Sequence, residues 1–263
     1  MDLDGTLLTS DKRISPASEA ICRRARAAGV HVVLASARPP RSVMPFYTQL
    51  ELDTPMINYN GALVYDPPSQ RVVAHRPIPA GVAAELVRDA RLRHPDVIVG
   101  AEILDRWFTD RLDDQYMTAT AKMAQHARPD VLAPLAEWLH QPVTKLLLQG
   151  EQAMLTSLRK YFAQAYEHQV TMVQTEGDLL QIMHATTSKA QALREVAAEL
   201  GVRREETLAV GDNANDVGML QWAGVSVAVA NASPEALAVA NVITAHHDED
   251  GAAMALQRLL SDK

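Results

Sequence analysis

TLAVGDNANDVGML, residues 207–220, reads as two elements joined at a Gly-Asp pair. Its first half is a short, apolar, β-rich run, as expected of a buried parallel strand. Asp212 leaves that strand, and NDVGMLQWAG continues as a helix stopped at Gly224. Beyond it VSVAVAN is a strand, SPEALAVA a helix and NVITA a last short strand. Upstream, SKAQALREVAAELG is a helix with Ser188 as its cap and Gly201 as its close. This alternation implies a doubly wound parallel sheet of the α/β class. In such sheets ligands bind beyond the carboxyl ends of the strands, where Asp212 falls.

The first third alternates in the same way. Ser15 caps a helix with Pro16 in its first turn, and Gly29 ends it. VHVVLAS (30–36) predicts a buried parallel strand, broken by Arg38-Pro39-Pro40. A helix from about Ser42 to Leu50 and a strand pair in MINYNGALVYD follow. The middle differs. It predicts a helix over 81–93, strands at VIVGAEI and RWFTD, and a helix near 112–126. The strand VTKLLLQG, a helix over 151–166 and the closing pair VTMVQTEG and DLLQIMHA complete it. Consecutive strands flanked by helices imply a smaller α+β unit on a mostly antiparallel sheet. The expected division is a core of 1–79 and 187–263 with 80–186 inserted.

Bulk properties narrow the function. At 263 residues, 48% hydrophobic, the chain buries a real core. Its net charge of −7 argues against non-specific nucleic-acid binding. No run approaches the ~18 apolar residues of a membrane helix. Cys22 is the only cysteine, which fits a reducing cytoplasm. Nothing in the sequence marks a particular oligomeric state. His246 and His247 read as surface residues, with no cysteine or histidine partner at zinc spacing.

Four constellations at strand ends offer chemistry. Asp2 and Asp4 alternate along an extended chain, so both carboxylates point one way, and Gly5 permits a sharp turn beyond them. A carboxylate can attack a phosphoryl group, and a second can protonate the leaving oxygen and then activate water. An ordinary Asp-Gly turn also fits. Ser36 offers a hydroxyl at the end of VHVVLAS, with Arg38 close behind, or merely terminates a strand. Lys189 opens a helix, where an ammonium and free N–H groups make an anion site, or an exposed first turn. Asp212 and Asp216 at a strand exit suit Mg²⁺, a hard ion with oxygen ligands, although Asn215 or Asp216 could simply cap a helix.

Taken in order, DLDGTLL, VHVVLAS with ARP, NYNGALVYD, TSKAQALREVAAELG, AVGDNANDVGML, VAVANASPEALAVAN and HHDEDGAA resemble the haloacid dehalogenase superfamily. The resemblance spans nearly the whole chain and is close to the Cof-type branch, whose large α/β cap is inserted between core motifs. It implies a Mg²⁺-dependent phosphatase that acts on a small phosphorylated metabolite through an aspartyl phosphate. Sugar phosphates, flavin mononucleotide, pyridoxal phosphate and pyrimidine precursors all fit that class. A phosphomutase on the same scaffold and a non-catalytic relic are the alternatives. By resemblance Asp2 is the nucleophile and Asp4 the general acid/base, whose backbone carbonyl also touches the metal. Ser36 and Lys189 hold the phosphoryl group, and Asp212 ligates Mg²⁺ with Asp216 supporting it. Arg38, Asn60, Asn215 and Asn231 are further site residues. Ser36-Ala37-Arg38 stands where the family usually has Thr-Gly-Arg, so the hydroxyl is kept.

In this fold the nucleophile ends a central buried strand, yet only Met1 precedes Asp2. Each missing apolar residue would be worth ~1.5–3 kcal/mol when buried. The expectation is therefore that the natural chain carries several more residues upstream. A free α-amino group beside Asp2 would also compete with the metal.

Overall fold

Met1, Asp2 and Leu3 lie at the centre of the parallel sheet in the computed structural model, which describes residues 1–116 and 128–261. On one side Met1 donates to the Val33 carbonyl (2.7 Å), and its own carbonyl accepts from Ala35 N–H (2.9 Å). On the other, Asp2 N–H donates to the Val210 carbonyl (3.0 Å). Ile57 N–H reaches Leu34 (2.9 Å), and Ser36 N–H reaches Ile57 (2.8 Å). Leu208–Gly211 pairs in parallel with Val225–Ala228, which pairs with Val242–Ile243. The extended segments thus run 56–58, 30–36, 1–3, 208–211, 225–228, 242–243. In chain order this is 3-2-1-4-5-6, the order of doubly wound nucleotide-binding sheets.

The strand expected over 30–36 is extended but forms no ladder; its one bridge joins Ala35 to Ile57. A ladder needs repeated bonds to a neighbour. The segment beside it, Met1–Leu3, reaches it only at Val33 and Ala35.

The chain divides into two compact units, Met1–Ala74 with Ser188–Lys263, and His75–Thr187. In the first, Leu3, Leu7, Leu8, Leu34, Ile57, Val210 and Val227 share one buried core. Ser15 caps helix Pro16–Ala27 by accepting from Ser18 N–H (3.0 Å). That helix packs on Gly251–Ser261, an amphipathic helix outside the sequence reading. Lys189–Glu199 packs on Val217–Trp222, and that on Pro234–Val239. Met56–Asn58 and Leu63–Asp66 form the expected strand pair, which is antiparallel, with Arg71–His75 added to it.

The second unit is a six-stranded sheet in the order 131–132, 106–109, 98–103, 145–149, 179–184, 170–176. All its pairs are antiparallel except the first. Helices Ala80–Arg93 and Gln152–Ala165 bury Leu86, Leu155 and Phe162 against Val99, Leu146, Leu180 and Ile182. Most of the helix expected near 112–126 lies outside the described residues. Its described part is a loop with a 3₁₀ turn at Asp114–Tyr116, where Asp113 accepts from Gln115 N–H (2.9 Å) and favours a local turn. Among the described residues no helix is long and apolar enough to cross a membrane.

Candidate active site

Two glycines let the carboxylate loops meet. Gly5 has φ +79°, and a Cβ there would come within 2.6 Å of Asp212 Oδ2. A Cβ on Gly211 would fall 2.7 Å from Asp216 Cβ. A side chain at Gly5 would push apart the loops that end the first strand and the 208–211 strand, and one at Gly211 would keep Asp216 from folding back on its own strand end. Thr6 Oγ1 then donates to Asp212 Oδ1 (2.8 Å), a contact absent from the sequence reading.

Around this junction Asp2, Asp212 and Asp216 each bring a carboxylate oxygen within 4.8 Å of the others. Lys189 supplies the ammonium, donating to Asp2 Oδ1 (2.5 Å) and Asp216 Oδ1 (2.6 Å). Asp2, Asp216 and Lys189 are buried. Asp216 Oδ2 accepts from the backbone N–H of Asp212 and of Asn213, each at 3.1 Å. Asp216 therefore orders the Gly-Asp loop as well as Lys189. Burial opposes charge on Lys189, but Asp2 and Asp216 outweigh it and raise the ammonium further, so it stays protonated. Burial likewise lifts the Asp2 carboxyl, to about 8, against the pull of Lys189 and with help from Asp216 and Asp212. Burial first, then Asp216, also raises Asp212 against its bond from Thr6.

Asp4 lives differently. Arg38 grips it with two bonds, Nε to Oδ2 (2.7 Å) and a terminal nitrogen to Oδ1 (2.6 Å), and Lys12 Nζ adds a third (2.8 Å). Burial would raise this carboxyl, but Arg38 and then Lys12 hold it below the usual range. Arg38 thus engages the Asp4 carboxylate directly. Lys12 was not foreseen; it sits at φ +61° in a polar turn with no motif to mark it.

The remaining residues frame the loops. Ser36 Oγ accepts from Arg38 N–H (3.1 Å). Asn60 is buried with φ +58°, and its Oδ1 accepts from Asn215 Nδ2 (2.9 Å). Asn231 Nδ2 donates to the Gly5 carbonyl (2.8 Å), and its Oδ1 accepts from His247 N–H (3.0 Å). The surface reading of the histidine pair fails for His247. Its side chain is only 12% exposed because Nδ1 is bonded to the Leu8 carbonyl (2.7 Å), a partner far away in sequence.

The donor set fits a hard divalent cation. Three carboxylates share one ammonium, which leaves two negative charges in excess when all are ionised. Oxygens at ~2.0–2.1 Å from Mg²⁺ stand roughly 3–4 Å apart, so these need only close in slightly.

The haloacid dehalogenase-like hydrolase family profile matches residues 1–256. The chain is 30% identical over 264 residues to the 5-amino-6-(5-phospho-D-ribitylamino)uracil phosphatase YitU of Bacillus subtilis (strain 168), covering 99% of this chain and 96% of that protein. It is 31% identical over 263 residues to the pyridoxal phosphate phosphatase YbhA of Escherichia coli (strain K12), covering 96% and 94%. A haloacid dehalogenase-like hydrolase from Bacteroides thetaiotaomicron superposes with a TM-score of 0.88 at 27% identity, covering 98% of this chain and 97% of that one. With its doubly wound core and nearly full-length match, the chain belongs to the haloacid dehalogenase-like hydrolases.

Proposed function

We propose that the protein is a Mg²⁺-dependent phosphatase that hydrolyses a small phosphorylated metabolite through an aspartyl phosphate on Asp2. The observation that carries this reading is the buried group of Asp2, Lys189, Asp212 and Asp216, with Asp4 two residues away in the opposite electrostatic setting. Asp2, the Asp4 carbonyl and Asp212, with Asp216 behind them, would hold Mg²⁺, whose charge would offset the repulsion between carboxylate and phosphoryl group.

The chain's own residues do the rest. Asp2 attacks phosphorus, and the bond to the leaving oxygen breaks. Lys189 neutralises phosphoryl charge and holds Asp2 in line, while the Ser36 hydroxyl hydrogen-bonds a phosphoryl oxygen. Asp4 gives the leaving oxygen a proton, then takes one from the water that opens the phosphoenzyme. Gripped by Arg38, the Asp4 carboxyl is ionised, the state in which the second task begins, but the same grip lowers its proton affinity and must loosen as Asp4 takes the proton. In the first task Asp4 acts once it holds a proton, so Arg38 sets the balance between the two steps. Asn60, Asn215 and Asn231 fix the loops that carry these groups.

We further assign substrate choice to the unit 75–187, acting as a cap. Register puts Glu102 opposite Lys145 and Leu147 opposite Gln181, so these polar residues share one sheet face. Lys145 Nζ donates to Gln181 Oε1 (3.1 Å), and all three are buried. Trp107 lies opposite Glu102 on that face, and its buried Nε1 has no acceptor among the described residues. A face with both donors and an acceptor suits a hydroxyl-rich or heterocyclic substrate. Inorganic phosphate release from a panel of phosphorylated metabolites tests this, with pyridoxal phosphate and 5-amino-6-(5-phospho-D-ribitylamino)uracil included. Mg²⁺-dependent release from at least one member is expected. No release from any of them, or from a generic aryl phosphate, would refute the phosphatase reading.

A further inference from the structure

We propose that Lys12 is a positioning residue for Asp4, holding its carboxylate so that the proton of the reaction passes through Oδ2. The inference rests on the phosphatase reading above and adds a residue to it. A carboxylate oxygen offers two acceptor sites. Both sites of Asp4 Oδ1 are filled, one by Lys12 Nζ (2.8 Å) and one by a terminal nitrogen of Arg38 (2.6 Å). Oδ2 accepts only from Arg38 Nε (2.7 Å), and no other donor among the described residues reaches it, so one of its sites stays open. Arg38 alone would leave the two oxygens alike, each with one bond. Lys12 breaks that symmetry and leaves Oδ2 as the atom that can meet a reacting oxygen.

The backbone gives an independent sign. Lys12 has φ +61°, in the left-handed region that residues other than Gly, Asn and Asp seldom enter. A tight turn imposes it: Thr9 N–H donates to the Arg13 carbonyl and Lys12 N–H to the Thr9 carbonyl, each at 2.9 Å. Single bridges join Leu8 to Ile14 and to Asp4, so the turn is tied to the loop that carries Asp4. Glycine or asparagine would sit there with less strain. The ion pair does not offset that strain, because the Lys12 and Asp4 side chains are 35% and 38% exposed and pairs so exposed add little stability. A strained lysine that does little for the fold points to the site it touches. In the first step the Asp2 oxygen bonds phosphorus, and the bond from phosphorus to the leaving oxygen breaks with its electron pair on that oxygen. Oδ2 gives the leaving oxygen its proton, which leaves Asp4 a carboxylate; in the second step Oδ2 takes a proton from the attacking water.

The test is Lys12→Asn in the full chain, which suits the left-handed backbone and removes Nζ. Its melting temperature should equal or exceed that of the wild type. Turnover should fall selectively. kcat/KM reports the steps through loss of the alcohol, and each enzyme is measured at its own pH optimum with Mg²⁺ present. On an alkyl phosphate, whose leaving oxygen needs the proton, it should drop about tenfold or more, and on a nitrophenyl phosphate, whose leaving oxygen does not, by less than about threefold. Lys12→Gly should repeat the pattern and decides alone should Lys12→Asn not fold. Equal losses on the two esters, or no loss on either, would overturn the role of Lys12 while wild-type turnover kept the phosphatase reading standing. A lowered melting temperature in both variants would mean that Lys12 serves the fold instead. A wild-type chain inert to both esters would overturn the phosphatase reading and this assignment with it.

Discussion

Asp2 and Asp4 leave the same turn yet meet opposite surroundings. Asp2 is buried with Lys189 among two further carboxylates, and its carboxyl is lifted to about 8. Asp4 is gripped by Arg38 and Lys12 and pushed the other way. Residue type does not distinguish them; the long-range neighbours do. Two titratable groups driven apart in this way are the mark of divided labour in a catalytic pair. Asp2 waits for a cation to complete its neutralisation, whereas Asp4 is already matched by cations of the chain itself.

The comparison can be broken by experiment. Asp2→Asn removes the attacking oxygen and should cut turnover by roughly 10⁴-fold or more. Ordinary hydrolysis by that variant would end the assignment. Asp4→Asn should slow turnover by roughly 10²–10⁴-fold while the first step still runs on activated substrates with good leaving groups. A loss of equal size in both steps would mean that Asp4 only shapes the loop. Mg²⁺ titrations sharpen the contrast for Asp2. Its raised carboxyl keeps a proton below about pH 8, and the ion must displace it. Apparent Mg²⁺ affinity should therefore fall by about tenfold per pH unit below that point and level off above it. Affinity flat from about pH 6 to 8 would contradict the lifted Asp2. The smallest effect is expected of Arg38→Ala. Burial continues to raise Asp4 after its counter-charge is gone, so its pKa rises and the acidic limb of the kcat profile should move to higher pH. An unmoved limb would show that Arg38 serves substrate and not Asp4.

What the sequence made legible follows from what is local. Asp212 at a strand exit, Gly5 after two alternating acids and Ser188 at a helix start each carry their geometry in adjacent residues. The doubly wound parallel class could be inferred because short apolar runs alternate with capped helices, whereas the order of the strands could not. The grip of Arg38 and Lys12 on Asp4 was not legible, since long cationic side chains find partners only after folding. His247 misled for a related reason: its partner, the Leu8 carbonyl, comes from the other end of the chain. The run over 30–36 has strand composition, but pairing is a property of its neighbours, and Met1–Leu3 reaches it at only two residues. Trp107 and Gln181 needed the register of the second sheet before they joined Glu102 and Lys145 on one face.

The division between the two carboxylates is tested most directly by acid-quenching Asp4→Asn after mixing with an activated phosphate ester and Mg²⁺, then weighing the amino-terminal peptide. The account predicts one added phosphoryl group on the peptide that contains Asp2, and none when Asp2→Asn is combined with it. An unmodified peptide with substrate consumed, or a phosphoryl group on any other residue, would contradict it.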